Sequence, residues 1–402
     1  MKKYLVLIVC LFLFFSNERI CAKNKRIASV PFRLVGSYVV LDVAINNSRP
    51  LSLILDTGVE STIITELNKN ESITFKQGDS ITIKGLGIDK NVNAIRTRNN
   101  DFKIGILNFN GNDVTLILDQ GFNLSGITGE RINGIIGSDI LKEFIVEINY
   151  ATSKLIFYSH EGFTPHRKFI SIPVLLVKNR LYANADIVNQ NGVTKKMVML
   201  IDTGAEVSAW LQTIRSDGIV VPKNKVFGYI GEGLNGEING YYAYMNRLCL
   251  GPFCIKNPIA TFPDSIYISQ FLLNSSRDGT LGNKILKRFN QIIDYQTPVL
   301  YLRPNFMFYE KFSYNIAGIE LIQSTDFLFH FRITKIWPDS PADLEGIKEG
   351  DLILEIDRLP IYTLKINEIR EIFETPRRLP LHMVIQRDND MLDFFLDMRS
   401  PI

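Results

Sequence analysis

The chain has 402 residues, of which 46% are hydrophobic, 11% aromatic and 22% charged, a globular composition that excludes collagen, a coiled coil and wholesale disorder and predicts two or three domains. Its 45 Lys and Arg residues nearly balance 42 Asp and Glu residues, for a net charge of +3, so we expect no binding of nucleic acid through bulk charge. Only four His and four Cys residues occur, and we expect neither a metal nor a cofactor.

The N-terminus has the pattern of a secretory signal peptide. Two lysines precede an apolar run of 12 residues, Tyr4 to Phe15, and the small residue Ala22 follows a short polar stretch. The run is shorter than the about 20 residues that a membrane-spanning helix needs. We therefore predict a cleaved signal peptide over residues 1–22, a secreted or periplasmic protein, and no stable membrane span after cleavage. An uncleaved anchor is the alternative.

The remaining chain contains an internal repeat. Leu53–Gly58 recurs as Met199–Gly204, at an offset of 146 residues (202 − 56), and Asn133–Gly137 recurs as Asp278–Gly282, at an offset of 145 (279 − 134). Such a period is too long for a solenoid, so two similar lobes are predicted.

Short apolar or alternating runs, broken by Asn, Gly and Pro, predict that both lobes are mainly β. One short helix is expected in each lobe, at 138–144 and 283–289. The polar stretch 160–168 joins the lobes, which we place at residues 23–162 and 163–306. The predicted strands are Val39–Ile45, Leu51–Leu55 and Lys154–Tyr158 in lobe one, and Leu181–Val188, Lys196–Ile201 and Val299–Leu302 in lobe two.

Each lobe has an Asp-Thr-Gly tripeptide directly after an apolar strand. A carboxylate there is costly to bury without a partner or a purpose, while Gly permits a sharp turn and Thr supplies a hydroxyl. A single copy is a common turn. Two copies, each followed by an apolar-Gly sequence after 78 and 77 residues (134 − 56 and 279 − 202), are far more specific. The candidate site residues are Asp56, Thr57, Gly58, Asp202, Thr203 and Gly204.

The pattern resembles the aspartic peptidases, both retropepsin-like and pepsin-like. Their motif continues with Ala and then Ser or Thr, as in Asp202–Ala205 with Ser208; Asp56–Val59 with Ser61 differs in having Val for Ala. Their second signature, two apolar residues and Gly, occurs in both lobes, with Thr280 as a mild departure.

The resemblance implies a mainly β fold of two retropepsin-like acid-protease lobes, with one active site between them for a peptide or protein substrate. Asp56 and Asp202 would face each other across a pseudo-twofold axis, and the two Thr would hydrogen-bond across it. Carboxylates at such close range share a proton. One would serve as general base for a water and the other as the acid; their assignment stays open, because the pair titrates as a unit.

Glycine turns at matched positions are candidate flaps, hairpins that would close over the cleft. They lie at an offset of 146 residues (231 − 85). The tyrosine of a pepsin-type flap has no counterpart at the lobe-one tip. In this respect the sequence resembles the retropepsins more than the pepsins. The candidate flap residues are Gly85, Leu86, Gly87, Gly231, Glu232 and Gly233.

Cys249 and Cys254 are the cysteines that remain after the predicted cleavage, and they flank a turn-like tetrapeptide. Opposite residues of a hairpin have Cβ atoms about 4.5–5.5 Å apart, close to what a disulfide needs. A secreted context permits the bond, so we predict it. Two small buried hydrophobic residues are the alternative.

After Pro304 the pattern changes. Ser340–Gly346 predicts a short helix with Ser as N-cap and Gly at its end, and Ile366–Phe373 carries an apolar helical stripe between predicted strands. Residues 314–402 resemble an α+β PDZ domain of the bacterial type. The resemblance implies a loop whose N–H groups hold the C-terminal carboxylate of a peptide ligand; a packing domain without ligand is the alternative. The candidate peptide-binding residues are Gly318, Ile319, Glu320 and Leu321.

Together these features predict a secreted or periplasmic aspartic endopeptidase whose PDZ domain recruits protein substrates and leaves short peptides largely unaffected. The rival is a catalytically silent peptide-binding or scaffold protein that retains the double-lobe fold. Two intact Asp-Thr-Gly motifs favour the enzyme.

Overall fold

A computed structural model describes residues 25–68, 71, 73–83, 92–117, 123–213, 219–233, 236–267, 277–324 and 330–402. The predicted signal peptide over residues 1–22 and the candidate flap Gly85–Gly87 lie outside these ranges. The described chain is mainly β, as predicted, with two β lobes followed by an α+β domain.

The strands of lobe one carry alternating or continuous apolar residues, and these side chains pack into one core. In the third strand Val39, Leu41, Val43 and Ile45 are all at most 1% exposed. Its strands are β1 (Arg26–Pro31), β2 (Arg33–Val35), β3 (Tyr38–Ile45), β4 (Leu51–Leu55), β5 (Thr62–Ile64), β6 (Gly78–Ile83), β7 (Val92–Ile104), β8 (Leu107–Leu116), β9 (Gly134–Ile136), β10 (Ile145–Asn149) and β11 (Lys154–Tyr158).

Lobe two repeats this order at the offset read from the sequence. Its apolar side chains and those of lobe one form one continuous core. Its strands are β12 (Ile170–Val177), β13 (Arg180–Val188), β14 (Thr194–Ile201), β15 (Ala209–Leu211), β16 (Val226–Gly233), β17 (Gly236–Tyr244), β18 (Arg247–Leu250), β19 (Phe253–Lys256), β20 (Ile259–Pro263), β21 (Gly279–Leu281), β22 (Phe289–Asp294) and β23 (Val299–Pro304).

The repeat is also visible in the strand pairing that positions the two Asp-Thr-Gly loops. In lobe one, β4 is parallel to β9, and β9 is antiparallel to β5. In lobe two, β14 is parallel to β21, and β21 is antiparallel to β15. Each Asp-Thr-Gly sequence therefore leaves the sheet at the same place, at the end of a buried strand.

The two lobes share a sheet through β10 and β22, which are antiparallel. Glu147 of β10 lies directly opposite Ile292 of β22, and the two residues are related by the repeat offset of 145 (292 − 147). A residue that pairs with its own repeat equivalent lies on a twofold axis. The pseudo-twofold axis thus passes between Glu147 and Ile292.

The α+β domain has its own apolar core, centred on Trp337 and the buried face of its longest helix. Its strands follow the spatial order β24-β25-β26-β28-β29. They are β24 (Ile319–Gln323), β25 (Phe331–Ile336), β26 (Leu352–Ile356), β27 (Leu359–Pro360), β28 (Leu381–Arg387) and β29 (Asp390–Leu396).

Helices are short. The expected Ser340 N-cap is present, since its hydroxyl accepts from the Asp343 N–H at 3.2 Å. The helix expected over 138–144 is a single 3-10 turn, and the one over 283–289 ends early because β22 begins at Phe289. The helices that lie wholly within the described residues are α1 (Leu124–Thr128), α2 (Asn283–Leu286), α3 (Pro341–Leu344) and α4 (Ile366–Glu374), with 3-10 turns at Ser138–Ile140, Phe306–Tyr309 and Ile361–Thr363.

Cys249 and Cys254 lie opposite each other in the β18–β19 hairpin and form a disulfide. Among the described residues, no helix is long and apolar enough to cross a membrane.

Candidate active site

The two aspartates occupy equivalent positions at the ends of β4 and β14. The Asp56 N–H donates to the carbonyl of Ile136, and the Asp202 N–H donates to the carbonyl of Leu281, both at 3.0 Å. These bonds continue the parallel pairing with β9 and β21 by one residue. The apolar-Gly signature of each lobe therefore holds the aspartate of the same lobe in place.

Thr57 and Thr203 lock the two loops together. The Thr57 hydroxyl donates to the Ile201 carbonyl at 2.7 Å and accepts from the Thr203 N–H at 3.2 Å. The Thr203 hydroxyl donates to the Leu55 carbonyl at 2.7 Å and accepts from the Thr57 N–H at 3.1 Å. Both threonines are fully buried. These four hydrogen bonds form the exchange across the axis that the resemblance to aspartic peptidases implies.

Gly58 and Gly204 leave room for the carboxyl groups. The Gly58 N–H donates to Asp56 Oδ1 at 2.6 Å, and the Gly204 N–H donates to Asp202 Oδ1 at 3.0 Å. A Cβ on Gly58 would lie 2.6 Å from the Asp202 carboxyl carbon, and a Cβ on Gly204 would overlap the Asp56 carboxyl group. Glycine is required here because each loop packs against the aspartate of the other lobe.

The two carboxyl groups interact as a pair. Burial raises the pKa of Asp56 well above its usual range, and the neighbouring charge of Asp202 raises it further. Burial also raises the pKa of Asp202, but the Arg277 guanidinium opposes this rise, and so does a hydrogen bond with Asp56. Two neighbouring acids removed from bulk water hold one proton between them over a wide pH range.

A cavity of about 360 Å³ opens above the pair. Both aspartates line it, and so do residues of lobe one such as Tyr38, of lobe two such as Trp210, and of the α+β domain such as Glu320. The cavity is therefore shared by all three parts of the chain.

The candidate flap of lobe two lies in the wall of this cavity. Strands β16 and β17 form a hairpin in which Gly231 pairs with Ile238, and Glu232 pairs with Glu237. Gly231, Glu232 and Gly233 all line the cavity. The structure thus brings this flap to the aspartate pair, while Gly85, Leu86 and Gly87 of lobe one lie outside the described residues.

The α+β domain packs against both lobes. Its Trp337 ring stacks on Tyr242 of the β16–β17 hairpin, with ring centres 4.9 Å apart. On the other side, Arg370 Nη2 of α4 donates to the Ile127 carbonyl of lobe one at 2.7 Å. A Cβ on Gly129 would lie 2.6 Å from both Gln323 and Ile366, so the end of α1 lies between β24 and α4. The domain bridges the lobes at the cavity.

The candidate carboxylate loop of this domain is hydrogen-bonded internally. The Gly318 N–H donates to Asn315 Oδ1 at 3.0 Å, while Ile319 and Leu321 pair with β25. The Glu320 side chain faces the cavity and accepts from Asn315 Nδ2 and Trp337 Nε1, both at 3.1 Å. Burial raises the pKa of Glu320 to about 7. Partners within the chain already occupy part of this loop.

Several cavity residues were not recognised from the sequence, Tyr38 and Arg277 among them. Tyr38 begins β3, and burial raises the pKa of its hydroxyl well above the usual value, followed by the effects of nearby acids that include both aspartates. Arg277 is only 6% exposed and lines the cavity beside Asp202. Arg277 lies one residue before the repeated Asp278–Gly282 segment, and the apolar Ile132 precedes the equivalent segment of lobe one. A charged residue at a position that is apolar in the other repeat is the sequence signal that marks Arg277. Within the described ranges, no cluster of three or more His, Cys, Asp or Glu side chains could hold a metal ion.

Two β lobes that each bring an Asp-Thr-Gly loop to one shared cavity define the aspartic-peptidase type of architecture. Residues 41–140 match the family model described as aspartyl protease, and residues 332–387 match the family model described as PDZ domain. The chain thus combines an aspartyl protease-like domain with a C-terminal PDZ domain, as the sequence predicts.

No curated protein matches the chain. Among solved structures, the aspartic proteinase from Irpex lacteus is similar at 13% sequence identity and a TM-score of 0.43. The match covers 70% of this chain and 98% of that chain.

Proposed function

We propose that the chain is an aspartic endopeptidase, which hydrolyses peptide bonds with a water activated by Asp56 and Asp202. The observation that supports this most is the pair itself, in which matching loops hold the buried Asp56 and the partly buried Asp202 under one cavity. Burying two acids side by side is unfavourable for folding. A protein that only bound peptides would gain nothing from it.

The chemistry follows from the single shared proton. The ionised carboxylate accepts a proton from a water while the water oxygen attacks the scissile carbonyl carbon. The protonated carboxyl group donates its proton to the carbonyl oxygen, which yields a neutral tetrahedral intermediate. The newly protonated carboxyl group then donates its proton to the amide nitrogen, while the ionised one accepts a proton from a hydroxyl of the intermediate. The C–N bond breaks, an amine and a carboxylic acid leave, and the pair again holds one proton. The loop N–H groups of Gly58 and Gly204 each hold the Oδ1 atom of the aspartate in their own loop, which keeps both carboxyl groups oriented for this exchange.

The direct test uses the mature chain and a mixed peptide library from pH 3 to 8. Unmutated protein is expected to cleave, whereas Asp56→Asn and Asp202→Asn each lose roughly 10²–10⁴-fold in rate, the range for one general acid or base. Asp79→Asn is a matched control, because Asp79 lies in an exposed ion pair with Arg98. Cleavage that persists in both dyad variants would come from a contaminating peptidase. The chain would then be the catalytically silent binding protein of the rival hypothesis.

Secretion is part of the proposal, supported by the N-terminal pattern and the Cys249–Cys254 disulfide. The mature protein is expected to begin at Lys23. N-terminal sequencing of protein from the medium or periplasm checks this, and a sequence that starts at Met1 would indicate an uncleaved anchor.

The PDZ domain is proposed to contact the substrate directly, since its residues line the cavity. A free peptide C-terminus at the loop would have to displace the Asn315 side chain from the Gly318 N–H. Titration of the full chain with a peptide ending in an apolar residue, against its amidated form, measures this ligand. Equal binding of both forms would exclude recognition of the terminal carboxylate.

A further inference from the structure

Arg277 is a buried cation beside Asp202 that makes no hydrogen bond with the described residues. Its side chain lines the cavity and is 6% exposed. Within the described part of the chain it forms no hydrogen bond or ion pair, and its closest ring contact is Trp210, with the guanidinium carbon 5.6 Å from the ring centre. Burial lowers the pKa of Arg277, which the charge of Asp202 opposes only in part.

The equivalent position of lobe one holds an apolar residue instead of a cation. Asp278, the residue after Arg277, is equivalent to Asn133 of lobe one. The Asp278 side chain accepts from the Val198 N–H at 2.9 Å, and the Asn133 side chain accepts in the same way from the Ser52 N–H at 3.0 Å. The residue before Asn133 is therefore the equivalent of Arg277, and it is Ile132, which is fully buried. The pseudo-twofold symmetry is thus broken beside one aspartate.

The ring under Arg277 breaks the symmetry as well. Trp210 pairs with Thr280 in lobe two, and Ile63 pairs with the equivalent Ile135 in lobe one. The Trp210 indole N–H is buried and has no hydrogen-bond acceptor among the residues that the structure describes. Lobe one fills this region with apolar side chains, whereas lobe two presents two hydrogen-bond donors there, one of them charged.

A buried guanidinium without a hydrogen-bonded anion is costly, and so is a buried N–H without an acceptor. Both costs are recovered when a ligand brings an anionic oxygen acceptor into the cavity, since hydrogen bonds between charged groups are the strong ones. We propose that Arg277 and Trp210 form a substrate subsite beside Asp202 that binds a carboxylate, supplied by an acidic side chain of the peptide. The proposal rests on the proposed peptidase function and names its substrate preference.

The test measures binding in a chain that cannot turn over. Full-length Asp56→Asn protein is titrated with fluorescent decapeptides of alanine, acetylated and amidated, in which Glu replaces each position in turn. A matched series carries Gln instead, and one further peptide has a free C-terminus and no Glu. At one position Glu is expected to bind roughly 10-fold or more tighter than Gln, the range for a hydrogen bond to a charged group.

Variants in the same background assign the preference to its residues. Arg277→Met is expected to abolish the Glu-over-Gln difference, Arg277→Lys to retain part of it, and Trp210→Phe to reduce it. Arg303→Met is the matched control, because that guanidinium also lies over an aromatic ring of lobe two, Phe169, at 4.8 Å, but it does not line the cavity.

Each outcome decides the question. Equal binding of Glu and Gln peptides at every position, or a preference that survives Arg277→Met, overturns the proposal; the Glu and Gln comparison needs no Arg277 variant to fold. Arg277-dependent binding of the free C-terminus alone supports the carboxylate subsite but assigns it to a terminal carboxylate. If the unmutated chain cleaves no peptide while the Arg277-dependent preference is present, the peptidase proposal fails and the subsite stands.

Discussion

The Trp337 ring of the PDZ domain lies parallel to Tyr242 of the β16–β17 hairpin, with 4.9 Å between the ring centres and 23° between the planes. The opposite strand of the hairpin passes beneath the indole at Gly228. The hairpin carries the candidate flap of lobe two, so the position of the PDZ domain and the shape of the cavity are coupled through these rings.

This contact predicts different effects for two glycines of the same strand. A Cβ on Gly228 would overlap the Trp337 indole, whereas a Cβ on Gly231 meets nothing within 4 Å. Gly228→Ala is therefore expected to lower the free energy of unfolding by about 1–3 kcal/mol, the usual cost of overpacking, and to slow cleavage of a short blocked peptide. Gly231→Ala should leave the free energy of unfolding unchanged. Denaturant unfolding and a peptide assay measure both.

Short peptides distinguish the two roles of the PDZ domain. Recruitment alone, as expected from the sequence, would leave short substrates unaffected in Gly228→Ala. A slower reaction is expected instead, because PDZ residues such as Glu320 and Arg370 form part of the cavity wall. Normal turnover of short peptides by a destabilised Gly228→Ala protein would contradict the coupling.

Thr57 is expected to matter through its hydroxyl. Thr57→Val keeps the shape but removes the donor to Ile201 and the acceptor for Thr203, both buried. Buried groups left without a partner cost about 1–3 kcal/mol each, so the free energy of unfolding falls and cleavage slows, though less than in the dyad variants. Thr57→Ser retains the hydroxyl and should stay close to the unmutated protein. Equal stability of the Val and Ser variants would rule out the hydroxyl exchange.

The aspartate pair predicts a trade between activity and stability. The pKa of Asp56 is higher in the folded chain than in the unfolded chain, so the folded chain binds more protons. The stability that this protonation contributes is lost as the pH rises above the pKa that Asp56 has in the unfolded chain. Asp56→Asn removes this loss. Its free energy of unfolding should exceed that of the unmutated protein at pH 7, and the difference should shrink toward pH 4, while cleavage is abolished. A less stable Asp56→Asn protein at pH 7 would contradict this.

Glu320 of the PDZ domain also has a raised pKa, so its titration is expected to change the free energy of unfolding with pH. Burial raises its pKa to about 7 from the ordinary 4.5, so stability is lost between pH 4.5 and 7 as the pH rises. Glu320→Gln keeps an oxygen that accepts from Trp337 and is expected to raise the free energy of unfolding by up to about 3 kcal/mol at pH 8, with little change at pH 4. The exposed Glu345→Gln is the control. A pH-independent effect of Glu320→Gln would exclude the titration.

The sequence alone determined the repeat, the two aspartates and the order of the domains. The bounds predicted for β4 and β11 from the sequence equal the observed ones. Alternating and continuous apolar runs indicate directly which strand residues are buried. The Asp-Thr-Gly and apolar-Gly sequences repeat because each lobe must build the same loop. Helix α1 was missed although Asn123 and Gly129 cap it, since five residues are too few for a helical period.

Only the tertiary structure decided what surrounds the aspartates. Arg277, Tyr38 and Trp337 are far apart in the chain, and nothing in their local sequence marks them as neighbours of one cavity. The same holds for the PDZ loop, where the Asn315 side chain takes the Gly318 N–H that the motif alone leaves free for a ligand. Local patterns encode which face of an element is buried, whereas the contacts between lobes and domains depend on side chains that meet only after the chain has folded.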